Sequence, residues 1–180
     1  LRIYKIINMS FKLHKKFSTS SPHLLDLKLC TVRLHDNSKF PWIMLIPKRK
    51  NINDITDLNS KDQMLLMREI VFSSKVMKKL FKTSKLNVEK VGNIVPQLHI
   101  HIIARYKKDN SWPLSVWVVK GKLYSAKALK EVLNNITSSK TEGIVNSVLT
   151  DVSIKIEDEQ YFNKLDKDDF ENYAKNLISE

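Results

Sequence analysis

The chain has 180 residues, of which 42% are hydrophobic, and this is enough for one domain with a buried core, or for one domain with a tail. It contains no apolar run of the 18 or more residues that a membrane-spanning helix needs. Its single cysteine, Cys30, excludes an internal disulfide framework and suits a reducing compartment. We therefore expect a cytoplasmic protein without membrane association.

The net charge of +12 is distributed unevenly along the chain. Residues 1–140 hold 27 of the 31 Lys and Arg and 9 of the 19 Asp and Glu, a net charge of +18, whereas residues 141–180 have a net charge of −6. A basic surface can attract nucleic acid, anionic lipid or small phosphorylated ligands, or it can reflect a lysine-rich composition alone. The lysines between residues 75 and 90 are scattered and are not interleaved with aromatic side chains, so the sequence does not indicate a nucleic-acid groove.

The first part of the chain predicts two antiparallel strands. Residues 1–9 are expected to be a disordered or non-native extension. Leu27–Leu34 alternates between apolar and polar residues, which predicts a strand, and residues 35–38 have the composition of a turn. Trp42–Ile46 is a continuous apolar run between two prolines, which is typical of a buried strand.

A long helix follows. Ser60 and Gln63 fit a capping box, in which each side chain bonds a backbone N–H at the start of the helix. Apolar residues then recur at helical spacing, at Leu66, Ile70, Met77, Leu80 and Phe81. We expect the helix to run from Ser60 to Phe81 and to lay one apolar face across the sheet.

Polar and apolar residues alternate most regularly in Gln97–Ala104. A short strand at Leu86–Val88 and a turn around Gly92 precede it. Because side chains in a strand alternate between its two faces, Gln97, His99 and His101 are predicted to share one face. Two imidazoles and a carboxamide on a rigid strand could act on a phosphate, since a neutral imidazole can serve as a nucleophile.

The C-terminal part has a different character and carries no chemical motif. Residues 119–180 are expected to form a helical, acidic extension, with helices at Ala126–Leu133, Ile144–Leu149 and Asp168–Ile178 and a polar linker over 136–142.

Residues 92–103, which read G-N-I-V-P-Q-L-H-I-H-I-I, resemble the signature of the histidine triad (HIT) family, His-φ-His-φ-His-φ-φ with φ apolar. The longer run over 95–117, which includes W-P-x-x-V-W at its end, is similar to an α-proteobacterial branch in which Gln replaces the first histidine. The resemblance covers residues 10–118. It implies an α+β fold, with an antiparallel sheet of about five strands and one long helix across it.

The resemblance also implies a chemistry. His99 would be the nucleophile that attacks the α-phosphorus of a dinucleoside polyphosphate or nucleoside phosphoramidate, forming a nucleotidyl-histidine that water then hydrolyses. His101 would contact the phosphate oxygens. Gln97, at the first triad position, and Asn93 would hydrogen-bond the phosphate, although Gln97 can carry no charge. A backbone carbonyl would fix the tautomer of His99.

Further binding residues and partners are implied in the same way. Asp36 or Asn37 would contact the ribose, and Asn87 would lie near the phosphate. The family is usually homodimeric, so we expect a homodimer. The chemistry implied by the resemblance needs no metal and no cofactor. We do not expect association with nucleic acid.

Three alternatives stay open at this point. Gln97 leaves a two-histidine site, which is compatible with a nucleotide-binding module of weak or no catalytic activity. His99 and His101 have the spacing of strand-borne metal ligands, with His35 as an additional ligand or a surface turn residue. The basic surface would also suit a nucleic-acid-associated protein.

Overall fold

The computed structural model describes residues 11–136, 138 and 142–148. Its strands are β1 (His23–Asp26), β2 (Cys30–Leu34), β3 (Trp42–Pro47), β4 (Lys85–Glu89) and β5 (Ile100–Arg105). Its helices are α1 (Lys15–Ser20), α2 (Ser60–Phe81), α3 (Ala126–Ile136) and α4 over 142–148. The strands form one antiparallel sheet in the spatial order β1-β2-β3-β5-β4, which confirms the predicted α+β architecture.

The first predicted strand is wrong in its extent, because the chain reverses direction inside it. Leu27 N–H donates to the carbonyl of Cys30 at 2.8 Å, and this turn separates β1 from β2. The buried carboxylate of Glu69, on α2, accepts the N–H groups of Leu29 and Cys30 at 2.6 and 2.8 Å. The alternation of residue types continues through the turn, so the sequence pattern alone did not reveal it.

Helix α2 has the predicted bounds but a different cap. The side chain of Asn59 accepts the N–H of Asp62 at 3.0 Å, which makes Asn59 the N-cap. Gln63 donates to the carbonyl of Leu58 at 2.8 Å and takes no part in the capping box predicted with Ser60. The predicted capping box is therefore wrong, because the N-cap is one residue earlier than Ser60. The predicted bounds of the helix are correct.

The two faces of the sheet have different coverings. One face packs with α2, and its buried core includes Val32, Leu45, Leu66, Ile100 and Ile102. The opposite face carries two smaller buried clusters, one around Phe17, Met44, Ile46 and Val95 and the other around Phe40, Trp42, Ile103 and Val116. Alternation along β5 thus directs its isoleucines at 100 and 102 toward α2 and its polar residues toward the second face.

The C-terminal part agrees with the prediction where it is described. Helix α3 continues to Ile136, three residues beyond the predicted end, and residues 142–148 are helical close to the predicted 144–149. The helix predicted at 168–178 and the extension at 1–9 lie outside the described residues. No helix among the described residues is long and apolar enough to cross a membrane.

Candidate functional site

The functional face begins just before β5. The strand starts at Ile100, three residues later than predicted, because Leu98 N–H donates to the carbonyl of Ile52 at 2.9 Å and so is tied to a loop. His99 is the residue immediately before the strand, and His101 is the second residue in it. Both histidines are buried, with 6% and 3% of their surface exposed.

A cavity of about 550 Å³ opens beside these histidines. Three imidazoles line it, those of His35, His99 and His101. The remaining wall comes from α1, through Lys16 and Phe17, and from residues 91–95 after β4, while Trp117 closes one side. Residues that are distant in the sequence therefore meet at one site.

The hydrogen bond of His99 defines its tautomer. Its Nδ1 lies 2.7 Å from the backbone carbonyl oxygen of Gln97. A carbonyl oxygen can only accept, so Nδ1 carries the proton and Nε2 keeps a lone pair when the ring is neutral. An unprotonated imidazole nitrogen is a nucleophile.

His101 has the opposite tautomer. The indole Nε1 of Trp42, which can only donate, lies 3.0 Å from Nδ1 of His101. Nδ1 therefore accepts, and the proton of the neutral ring is on Nε2. The two histidines, whose ring centroids are 4.7 Å apart, thus offer one acceptor and one donor side by side.

His35 lies at the end of this aromatic cluster. Its ring centroid is 4.0 Å from that of Trp42 and 6.1 Å from that of His101. Trp117 packs edge-on against both Trp42 and His101, at 4.9 and 5.2 Å. The interpretation of His35 as a surface turn residue is wrong, because β2 and β3 bring it into the cavity.

Burial keeps the imidazoles of the site neutral. It lowers the pKa of His101 to about 3, with further contributions from His99 and His35, and it lowers the pKa of His35 to about 4, against the opposing effect of Asp36. Burial also lowers the pKa of His99, while the Gln97 carbonyl opposes this shift. At neutral pH the site therefore presents uncharged nitrogens.

Gln97 does not line the cavity of the histidines with which it was predicted to share a face. Its Oε1 accepts the N–H of His14 at 2.9 Å, and its Nε2 donates to the carbonyl of Lys12 at 3.0 Å. The carboxamide thus faces the N-terminal segment, and Gln97 is not among the residues that line the cavity. Its partners belong to the segment that leads into α1, and this segment packs on the same face of the sheet as the histidines.

The predicted phosphate-proximal asparagines have different positions. Asn93 lines the cavity. Asn87 lies on β4, where its Nδ2 donates to Glu89 at 3.1 Å and its Oδ1 accepts from Arg105 at 3.3 Å. The structure therefore brings Asn93 to the histidines but does not bring Asn87 to the cavity.

The predicted ribose ligands support another part of the chain. Asp36 accepts the N–H of Tyr124 at 2.8 Å. The buried side chain of Asn37 accepts the N–H of Lys39 at 3.1 Å and that of Lys122 at 3.5 Å. These two residues hold the segment before α3 against the turn between β2 and β3, and they do not line the cavity.

Several residues of the site were not predicted from the sequence. Trp42 and Met44 were expected only as residues of a buried strand, and Lys16 and Phe17 carry no motif. A signal existed for Trp42, because a buried tryptophan usually finds a partner for its N–H and polar partners in a core are few. Among the described residues, no group of three or more His, Cys, Asp and Glu side chains is arranged to hold a metal ion.

Comparison with known proteins gives one family and several solved structures. The model of the HIT domain matches residues 17–108. A histidine triad protein from Bradyrhizobium japonicum is 34% identical with a TM-score of 0.66, and the match covers 71% of this chain and 96% of that one. No curated protein sequence matches the chain.

Two further histidine triad proteins are similar at nearly the same level. The one from Sinorhizobium meliloti is 31% identical with a TM-score of 0.66, over 70% of this chain and 94% of that one. The one from Marinobacter aquaeolei is 31% identical with a TM-score of 0.69, over 77% of this chain and 98% of that one. The similarity thus extends over nearly the whole length of these relatives.

Proposed function

Because the chain belongs to the histidine triad (HIT) family, we propose that it is a nucleotide hydrolase or transferase that cleaves at the α-phosphate through a nucleotidyl-histidine intermediate. The proposed substrates are dinucleoside polyphosphates or nucleoside phosphoramidates. The observation that carries the proposal is the pair of opposite tautomers at His99 and His101, one a nucleophile and the other a donor, at the edge of a single cavity.

His99 performs the covalent step in this proposal. Its Nε2 lone pair attacks the α-phosphorus and forms a P–N bond, while the bond from phosphorus to the leaving group breaks. The leaving group departs with that electron pair, as a nucleotide anion from a dinucleoside polyphosphate or, after protonation by solvent, as an amine from a phosphoramidate. The Gln97 carbonyl oxygen accepts a hydrogen bond from Nδ1–H, at 2.7 Å from Nδ1, and stabilises the positive charge that develops on the imidazole. Water then attacks the phosphorus from the side that the leaving group has left, which releases a nucleoside monophosphate and restores His99.

His101 serves the phosphate oxygens. Its Nε2–H donates a hydrogen bond where negative charge accumulates in the transition state, and such preorganised donors are often the largest single contribution to catalysis. Trp42 supports this role, because its N–H occupies Nδ1 and so keeps the proton on the other nitrogen. Asn93, at the cavity wall, supplies an amide to the same phosphate.

A hydrolysis screen tests the proposal. The wild-type chain is incubated with diadenosine polyphosphates and adenosine phosphoramidates, with His99→Ala as the blank. We expect AMP release from at least one of these compounds by the wild-type chain and none above background by the variant, which should still bind AMP. Equal rates for the two proteins would refute the nucleophile assignment.

A nucleotide-binding module with weak or no catalysis is the second candidate. The observation that favours it is Gln97, whose carboxamide is committed to the backbone of residues 12 and 14 and adds no catalytic group to the cavity. This candidate predicts that AMP binds in the cavity but that no covalent intermediate forms with any substrate of the screen.

Three expectations accompany the proposal. We infer that the protein is a homodimer, which light scattering after size-exclusion chromatography would test. Residues 119–180 are proposed to be an extension of a domain that spans 10–118. The proposed location is the cytoplasm, in keeping with the single buried cysteine, Cys30.

A further inference from the structure

Gln97 fastens the N-terminal segment to the site. Its carboxamide oxygen and nitrogen are both used, the oxygen accepting from His14 N at 2.9 Å and the nitrogen donating to Lys12 O at 3.0 Å. These bonds join residues more than 80 positions apart in the sequence. A side-chain amide that pairs with the backbone on both sides in this way fixes the register of the segment that it holds.

The fastened segment then forms part of the cavity. Phe17 is buried, with 5% of its surface exposed, in the cluster with Met44 and Val95. Its ring meets the ring of His99 edge-on at a centroid distance of 4.8 Å. The preceding residue, Lys16, lines the same cavity as the imidazoles. The position of α1 therefore determines what lies opposite the histidines.

Lys16 supplies a charge that the histidines do not provide. The three imidazoles of the cavity are neutral at neutral pH, and a phosphate group brings one or two negative charges. No carboxylate among the described residues pairs with Lys16. Lys90, whose charge contributes to the lowered pKa of His99, is ion-paired with Asp54 and does not line the cavity.

We propose that Gln97 is a positioning residue that clamps the N-terminal segment onto the site, and that Lys16 of this segment is the cationic binding residue for the substrate phosphate. This inference rests on the proposed function, since it concerns a nucleotide bound in the same cavity. Gln97 thus contributes to phosphate binding by holding Lys16 in position, without contacting the phosphate itself.

Calorimetric titration with AMP tests the charge. Lys16→Gln keeps the length of the side chain and removes its charge, and Lys15→Gln is the matched control, because Lys15 is exposed on the same helix and does not line the cavity. We expect Lys16→Gln to bind AMP about tenfold more weakly than the wild-type chain, with the difference shrinking at high salt. Lys15→Gln should stay within about twofold of the wild-type affinity.

The titration distinguishes a failure of this inference from a failure of the proposed function. Equal affinities of Lys16→Gln and Lys15→Gln, with a wild-type chain that binds AMP, would overturn this inference and leave the proposed function intact. A wild-type chain that binds no AMP would overturn the proposed function and this inference together.

A double-mutant cycle tests the clamp. If Gln97 acts through Lys16, Gln97→Ala should weaken AMP binding about as much as Lys16→Gln, and the double variant should bind about as well as either single one. Additive losses would mean that Gln97 and Lys16 act independently, and this would overturn the clamp.

Amide hydrogen exchange gives a readout of the clamp that needs no ligand. The N–H of His14 should exchange faster in Gln97→Ala than in the wild-type chain, while amides of β5 keep their protection. Gln97→Glu serves as the graded variant, because it keeps the acceptor for His14 but loses the donor to Lys12, and its exchange should be intermediate. Unchanged exchange at His14 in both variants would contradict the clamp.

Discussion

The two ends of β5 carry polar side chains on the same face of the sheet, but these side chains differ in how many of their polar atoms form hydrogen bonds within the protein. At the C-terminal end, the guanidinium of Arg105 bonds Asp109 at 2.7 and 3.1 Å, Ser111 at 3.1 Å, Leu114 O at 2.8 Å and Asn87 at 3.3 Å. At the N-terminal end, His99 and His101 each form a hydrogen bond with the described part of the chain through Nδ1 alone. Their Nε2 atoms stay available at the cavity.

This difference separates stability from chemistry along a single strand. The charge of Arg105 is 1% exposed and is matched by a carboxylate that is 5% exposed, so the pair is a closed structural unit. The Asp109 carboxyl has its pKa lowered to about 2, chiefly by its hydrogen bonds with Arg105. At the histidine end the imidazoles are neutral. The hydrogen bond at each Nδ1 orients the ring and leaves Nε2 for the substrate. Changes at the two ends should therefore affect different measurements.

The largest effect is expected at His99. His99→Ala removes the nucleophile and should lower the rate of nucleotide hydrolysis by on the order of 10⁴-fold or more, with the free energy of unfolding much less affected. Steady-state kinetics and urea denaturation measure the two quantities. His23→Ala is the control, because His23 is exposed on β1 and does not line the cavity; an equal loss of rate in the control would contradict the assignment.

At the other end of the strand, Arg105→Ala should lower the free energy of unfolding. The variant leaves the buried carboxylate of Asp109 without its partner, which costs about 3–5 kcal/mol of unfolding free energy. Urea denaturation measures the loss. Arg105→Lys keeps the charge but loses the planar fork, so its loss should be smaller. A variant of unchanged stability and abolished hydrolysis would mean that the two ends are not separated in the way described.

Trp42→Phe tests the orientation of His101. The change keeps the aromatic packing and removes the N–H that binds Nδ1, so His101 can adopt either tautomer and its pKa should rise. We expect kcat to fall about tenfold with little change in KM. Nitrogen-15 chemical shifts of the His101 ring report the tautomer directly.

Trp112→Phe is the matched control for that experiment. Trp112 lies over the Arg105 guanidinium at 5.7 Å, at the other end of the strand, and does not line the cavity. Its kcat should stay within about twofold of the wild-type value. If Trp42→Phe left both kcat and the His101 ring signals unchanged, the role given to the indole N–H would be wrong.

The smallest expected effect is the pH dependence near neutrality. Burial holds the pKa of His99 below its ordinary value of 6.5, and only the neutral ring is a nucleophile. Hydrolysis should therefore be flat at and above pH 6.5 and should be lost as the pH falls through the lowered pKa. A profile of kcat/KM against pH measures this, and an acid limb centred above pH 6.5 would contradict a neutral, desolvated His99.

Local patterns predicted the framework and the two central histidines, but not the residues that surround them. The C-terminal end of α2 followed from apolar periodicity, and Gly92, which was predicted to lie in a turn, has a positive φ of 76°. The contact of Trp42 with His101 depends on the pairing of β3 with β5, and a single sequence does not contain that register. The partners of Gln97 were not predicted because residues 12 and 14 lie in a segment that carries no pattern of its own.

The measurement that tests the central claim most directly is the capture of the covalent intermediate. The wild-type chain is mixed with a nucleotide phosphoramidate carrying a labelled α-phosphate, quenched within the first turnover under conditions that preserve phosphohistidine, and digested for mass spectrometry. We expect a nucleotidyl group on the peptide that contains His99, and none in His99→Ala. Turnover by the wild-type chain without any label on His99 would contradict it.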